Sequence, residues 1–196
     1  MTPQDHVKWL ADNTTWFENL TVSQLKEDVP CCPGWVVQDV INHLSFGVGL
    51  AYPLAVSSSP STPGTEVFAE AKRPAETPTG DTALVMFVTN MRRCIELFSE
   101  VDPETPCWTY AGPGTASFWL RRAAVETAVH RVDVEEALLD NPPSLPNNRA
   151  ADGISEAVDF ALPLAMTLVG QPAGHLVVSS PDLDIKPELG EDRSKW

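Results

Sequence analysis

Positive charge is scarce in this chain: 13 lysines and arginines stand against 27 aspartates and glutamates, a net charge of -14 over 196 residues. Such a balance repels phosphate backbones and anionic membrane surfaces, so neither nucleic acid nor a membrane is an expected partner. Long apolar runs are missing as well, and no stretch is long enough to span a bilayer. The opening Met1-Thr2-Pro3-Gln4-Asp5-His6 has neither the basic start nor the apolar run of a signal peptide, and a soluble, cytoplasmic protein is the expectation. Cysteine is confined to Cys31, Cys32, Cys94 and Cys107, without a Cys-x-x-Cys pair or a disulfide-framework spacing. Adjacent cysteines bridge each other poorly. Reduced thiols in a reducing compartment are therefore expected, with a redox role for Cys31 or Cys32 as the alternative. Strand signals are rare too, the one clear case being residues 175–178, His-Leu-Val-Val.

Amphipathic helical patterns fill the rest. The first spans residues 4–20, with Val7, Leu10, Phe17 and Leu20 on one stripe. A second starts near Val36, has Asp39 in its first turn where the helix dipole favours negative charge, and is weakened or ended by Tyr52-Pro53. The third covers residues 82–99, presenting Leu84, Val85, Val88, Met91, Ile95 and Phe98. The fourth, over residues 117–140, carries Leu120, Ala124, Val125, Ala128 and Val132. Residues 57–80, rich in Ser, Pro and Thr, read as a loop over a surface or site mouth, and the segment around Trp108 and Tyr110 reads as a second loop. Prolines 142, 143 and 146 forbid a continuous helix through residues 141–149. The expected organisation is a helical domain at 1–140, a proline-rich linker at 141–149 and a partial α/β segment at 150–196, opening with a fifth helix kinked at Pro163.

The chemistry-bearing residues lie on two of these helices. Glu126 and His130 are four apart, which stacks them on one helix face within reach of a common cation. His43 offers a third donor from the second helix. Two nitrogens and one carboxylate leave a coordination position open, as catalytic rather than structural zinc is held. Asp39, four residues before His43, and Asp133, three after His130, are spaced to take the second ring nitrogen of each imidazole and fix its tautomer. A plainer reading stands beside this one: Arg122 could pair with Glu126 on a solvated face, and each histidine could be a hydrogen-bonded core residue. Trp35, Phe46, Trp108 and Trp119 are core aromatics or pocket walls, and Arg121 and Arg122 meet either a substrate carboxylate or a surface acid.

Cys32-Pro33-Gly34-Trp35 followed by Asp39-x-x-x-His43-Leu44, and later Arg121-Arg122-x-x-x-Glu126-x-x-x-His130-Arg131-x-Asp133, resembles the mycothiol-dependent maleylpyruvate isomerase family, a branch of the DinB-like metal-binding four-helix bundles. The resemblance runs through residues 4–140. It implies a mainly α fold with a short, truncated α/β appendage, and a divalent metal, zinc by preference, on His43, Glu126 and His130. The chain departs from the pattern at Val132, where the family usually has Trp, and in its short tail, where no motif context assigns Arg193 to the arginine that the family's isomerase draws from its appended domain.

An open-sided metal of this kind lowers the pKa of a bound thiol and can polarise a carbonyl. The resemblance thus implies a small-molecule thiol, mycothiol where it is made, that adds reversibly to a cis double bond or attacks an electrophile and stays attached. The leading expectation is a thiol-dependent isomerase or S-transferase acting on a small molecule, as a monomer or homodimer. A non-catalytic binding or regulatory bundle and a water-activating hydrolase are the alternatives. No catalytic residue beyond the metal ligands is assigned.

Overall fold

The computed structural model describes residues 1–71, 74 and 76–164. The strand expected at residues 175–178, the end of the fifth helix and Arg193 lie outside the described residues.

Thr2 and Asp5 start the first helix reciprocally. The Thr2 amide donates to Asp5 Oδ2 at 2.8 Å and the Asp5 amide to Thr2 Oγ1 at 3.2 Å, with Pro3 at a position whose N–H would have no helical acceptor. Helix α1 runs Pro3–Glu18 and buries Trp9, Leu10, Asn13 and Phe17. After a short turn at Gln24–Lys26, the chain bridges Asp28 to Val36 and enters α2, Val37–Phe46.

The helical path does not stop at Tyr52-Pro53. It loosens into a π turn, Gly47–Ala51, and continues as α3, Tyr52–Val56. The Tyr52 amide reaches back five residues to the Gly47 carbonyl, and in that register the Val48 carbonyl would next meet residue 53, a proline without an N–H. The buried Cys94 thiol donates to Val48 O instead, at 3.4 Å. Gly49 permits the close approach this needs, since a Cβ there would lie 2.8 Å from the Asn90 Cβ.

A short helix, α4 (Gly64–Glu70), interrupts the proline-rich loop. Helix α5 is Gly80–Glu100, and its inward stripe is Ala83, Phe87, Met91, Cys94 and Phe98, while Val85, expected in the core, is 64% exposed. The expected loop around Trp108 is an antiparallel hairpin, β1 (Pro106–Thr109) paired with β2 (Gly112–Thr115), and it leads directly into α6, Ala116–Leu138. Its rungs are proline and glycine as often as β-formers, which hid it from pattern reading.

Helices α1, α6, α2 and α5 pack in a ring: α1 against α6 and α5, α2 against α5 and α6. The core between them holds Trp9, Leu10, Phe17, Ile41, Leu44, Phe87, Met91 and Trp119, each such side chain contributing about 1.5–3 kcal/mol by leaving water. Ala123, Ala124 and Ala128 let α6 approach its neighbours closely.

Residues Thr2–Pro143 form one compact unit, and a second begins at Ser144. In the second, α7 (Asn147–Glu156) passes into a π turn, Ala157–Ala161. No helix among the described residues is long and apolar enough to cross a membrane.

Candidate metal centre

Helix α2 delivers His43 in its last turn, and α6 delivers Glu126 and His130 one turn apart on the face that meets α2. The three side chains converge. His43 Nε2 lies 2.9 Å from Glu126 Oε1 and His130 Nε2 lies 3.6 Å from the same oxygen. One donor atom from each residue falls within 4.8 Å of the others, and the two imidazoles meet edge to face at 4.8 Å. Metal bonds of about 2.0–2.2 Å set neighbouring donors roughly 3–3.5 Å apart, so the set needs only small side-chain adjustment to close on a divalent cation.

Its electrostatics favour such a charge. Burial works to raise the Glu126 carboxyl, but hydrogen bonds from His130 and His43 and the Arg122 charge outweigh it and hold the group well below the usual carboxylate range. Burial likewise works to lower His130, yet its hydrogen bonds to Asp133 and Glu126 push it up to about 9. Positive charge is thus stabilised where the donors meet, and a divalent cation would supply it in place of the proton. Cation and donor set fit each other.

The surroundings fix the donors. His130 Nδ1 is 2.9 Å from Asp133 Oδ2, which leaves Nε2 as the nitrogen that faces Glu126, the arrangement expected from the spacing. Asp39 behaves differently from its expectation. Its Oδ2 accepts from the Val36 amide at 2.9 Å, so it secures the start of α2 rather than the ring of His43. A carboxylate at the third helical position suits both tasks, and the free amide at the helix start is nearer.

Several contacts were not legible in the spacing. Trp35 lies against both ligand imidazoles, tilted at 5.4 Å from His43 and stacked at 6.1 Å from His130. The preceding loop is tied to α6: the Cys31 thiol donates to Glu136 Oε2 at 2.8 Å and the Cys32 thiol to Asp133 Oδ2 at 3.7 Å. The bond to Glu136 pushes Cys31 up to about 11, and burial together with Asp133 pushes Cys32 up, so both remain thiols at neutral pH. Cys32, His130 and Asp133 also form a second three-donor group on the far side of the His130 ring. Arg122 pairs with Glu126 as the helix spacing allowed, but on a largely covered face: their side chains are 17% and 15% exposed. Trp108 and Trp119 belong to an aromatic cluster with Tyr52, Phe68 and Tyr110, and the Trp119 indole donates to the Trp108 carbonyl at 2.6 Å.

A cavity of about 440 Å³ opens beside His43, walled by Trp35, Asp39, Asn42, Phe46 and Pro78. His43 is the most open of the three donors, at 33% against 15% for Glu126 and 13% for His130. Access to the centre therefore runs along its imidazole.

The family model described as the mycothiol maleylpyruvate isomerase N-terminal domain matches residues 8–135. A crystal structure of a mycothiol-dependent maleylpyruvate isomerase is 14% identical with a TM-score of 0.56, covering 81% of this chain and 70% of that one. A His-to-Ala mutant under the same name gives 13% identity and a TM-score of 0.57 over the same shares. At such identities the likeness is one of fold. No curated protein matches the chain. With the family match spanning both motif-bearing helices and a helical bundle of the DinB-like kind beneath it, the chain belongs to the mycothiol maleylpyruvate isomerase N-terminal domain family.

Proposed function

We propose that this protein is a divalent-metal-binding, thiol-dependent enzyme, an isomerase or S-transferase for a small electrophilic substrate, with mycothiol or another low-molecular-weight thiol as its cofactor. The observation that carries the reading is the convergence of His43 Nε2, Glu126 Oε1 and His130 Nε2, with His43 also lining a cavity. A divalent cation, zinc by the N/O character of the donors, would supply Lewis acidity there and favour the thiolate form of a thiol.

The protein's own residues do the rest. His43, Glu126 and His130 would hold the cation, and Asp133 keeps the proton of His130 on Nδ1 so that Nε2 carries its lone pair to the centre. Glu126, engaged by two histidines and an arginine, has no freedom to shuttle protons as a general base. Trp35 covers one side of the imidazoles and excludes water from it. Both Cys31 and Cys32 stay protonated, Cys94 is wholly buried with its thiol used on Val48 O, and burial of Cys107 likewise disfavours its thiolate, so the nucleophile comes from outside the chain. The substrate takes the cavity beside His43.

The test is elemental analysis of the purified protein, followed by cobalt substitution and titration with a thiol. One metal per chain and a spectral change on thiol addition are expected. Maleylpyruvate and an unrelated electrophile are then compared as substrates, and S-transfer is expected to outlast isomerisation. Activity that needs no thiol would favour the hydrolase, and a metal-loaded protein inert with both substrates would favour a binding module.

A further inference from the structure

We propose that Arg122 is a positioning residue for the metal centre: it engages Oε2 of Glu126, so that the carboxylate offers only Oε1 to the cation and a coordination position stays open for the thiol. The inference rests on the metal-binding reading above.

The two oxygens of Glu126 have separate partners. Oε1 faces His43 Nε2 and His130 Nε2 at 2.9 and 3.6 Å, whereas Oε2 accepts from Arg122 Nη2. A free carboxylate beside a cation can bind it through either oxygen or through both, and the two-oxygen mode takes a position that a substrate or thiol would otherwise use. A guanidinium on the second oxygen opposes that mode, because its N–H groups bind carboxylate oxygen directionally and its charge never leaves. Arg122 is itself largely covered. It stands one turn before Glu126 on α6, and its charge acts on the hydroxyl of the buried Tyr52 on α3, whose ring packs on Trp119 at 4.6 Å. The hairpin contributes Tyr110, which packs on the same Trp119 at 4.9 Å. The π turn that carries α2 into α3 thus brings Tyr52 to the arginine while His43, one turn before it, faces the carboxylate. An ordinary i,i+4 ion pair on an exposed face would have neither this covered setting nor a shared carboxylate.

The experiment compares wild type, Arg122→Met, Arg122→Lys and Tyr52→Phe, each loaded with cobalt(II). Metal stoichiometry, visible absorption, thiol affinity and thermal midpoint are measured for each. Arg122→Met is expected to retain the metal but lose visible intensity, as a four-coordinate site gains a ligand, and to bind thiol about tenfold or more weakly, within the usual range for a residue that orients a ligand. Arg122→Lys should recover part of both signals, and Tyr52→Phe should shift both in the Met direction by less. If Arg122→Met fails to fold, Tyr52→Phe and Arg122→Lys decide the matter. Spectrum and thiol affinity that stay at wild-type values while the thermal midpoint falls would reduce Arg122 to a structural ion pair and overturn the proposal, leaving the metal-binding reading intact. A wild type that takes up no metal would overturn both.

Discussion

At the residue scale, the spacing of Glu126 and His130 was sufficient to place them on one face, because a helix allows four-apart side chains nothing else. What spacing could not supply was the partner of each donor across the bundle. Cys32 meets Asp133 over 101 positions of sequence, and no local pattern encodes that. Asp39 shows the opposite problem, since the position that would let it orient His43 is also the one from which it secures the helix start. The two carboxylates therefore have different expected phenotypes. Asp133→Asn should weaken metal binding by about 10–100-fold with little change in folding. Asp39→Ala should cost about 0.5–2 kcal/mol of stability, as lost helix caps do, with metal affinity nearly unchanged. Isothermal titration and thermal denaturation of both variants separate the roles. Cys31 offers a pH test. Its proton is shared with the Glu136 carboxylate, which favours the thiol and disfavours the thiolate, so its pKa stands raised at about 11. Glu136→Ala removes that bias, and the midpoint of iodoacetamide alkylation against pH should move down toward an ordinary thiol value. An unmoved midpoint would mean that the hydrogen bond does not form in solution.

At the element scale, the long helices were legible because their apolar periodicity is strong, and their observed ends depart from the patterns by a few residues. Two features were not. The hairpin at Pro106–Thr109 and Gly112–Thr115 includes prolines and glycines that penalise strands elsewhere, and the Thr109 hydroxyl and the Trp119 indole add side-chain hydrogen bonds to its backbone ladder. Pro53 reads locally as a helix end. It is tolerated because the π turn shifts the register and Cys94 takes the carbonyl left over, a contact 46 positions away. Gly49 makes the approach between that turn and α5 possible, and the Cβ of Gly49→Ala would lie 2.8 Å from the Asn90 Cβ. Overpacking of that kind costs about 1–3 kcal/mol. A lowered thermal midpoint is expected, together with weakened metal binding as the end of α2 that bears His43 shifts. A variant as stable as wild type would show that the two helices can part without penalty.

For the whole molecule, the decisive arrangement is the packing of α2 on α6, which turns donors 83 positions apart into neighbours. Helical periodicity alone names four faces without saying which of them meet, so the grouping of His43 with Glu126 and His130 rests in the sequence on donor chemistry and on the family motifs. The tail expected to complete the α/β segment falls largely outside the described residues, and the centre at His43, Glu126 and His130 is assembled within the first unit, Thr2–Pro143. Two donor groups share His130: one with His43 and Glu126, the other with Cys32 and Asp133. X-ray absorption on the zinc-loaded protein before and after addition of a small thiol separates them in one measurement. Nitrogen and oxygen ligands without sulfur are expected around the zinc, joined after thiol addition by one sulfur at about 2.3 Å. Sulfur bound before any thiol is added, or a shell that the thiol leaves unchanged, would contradict it.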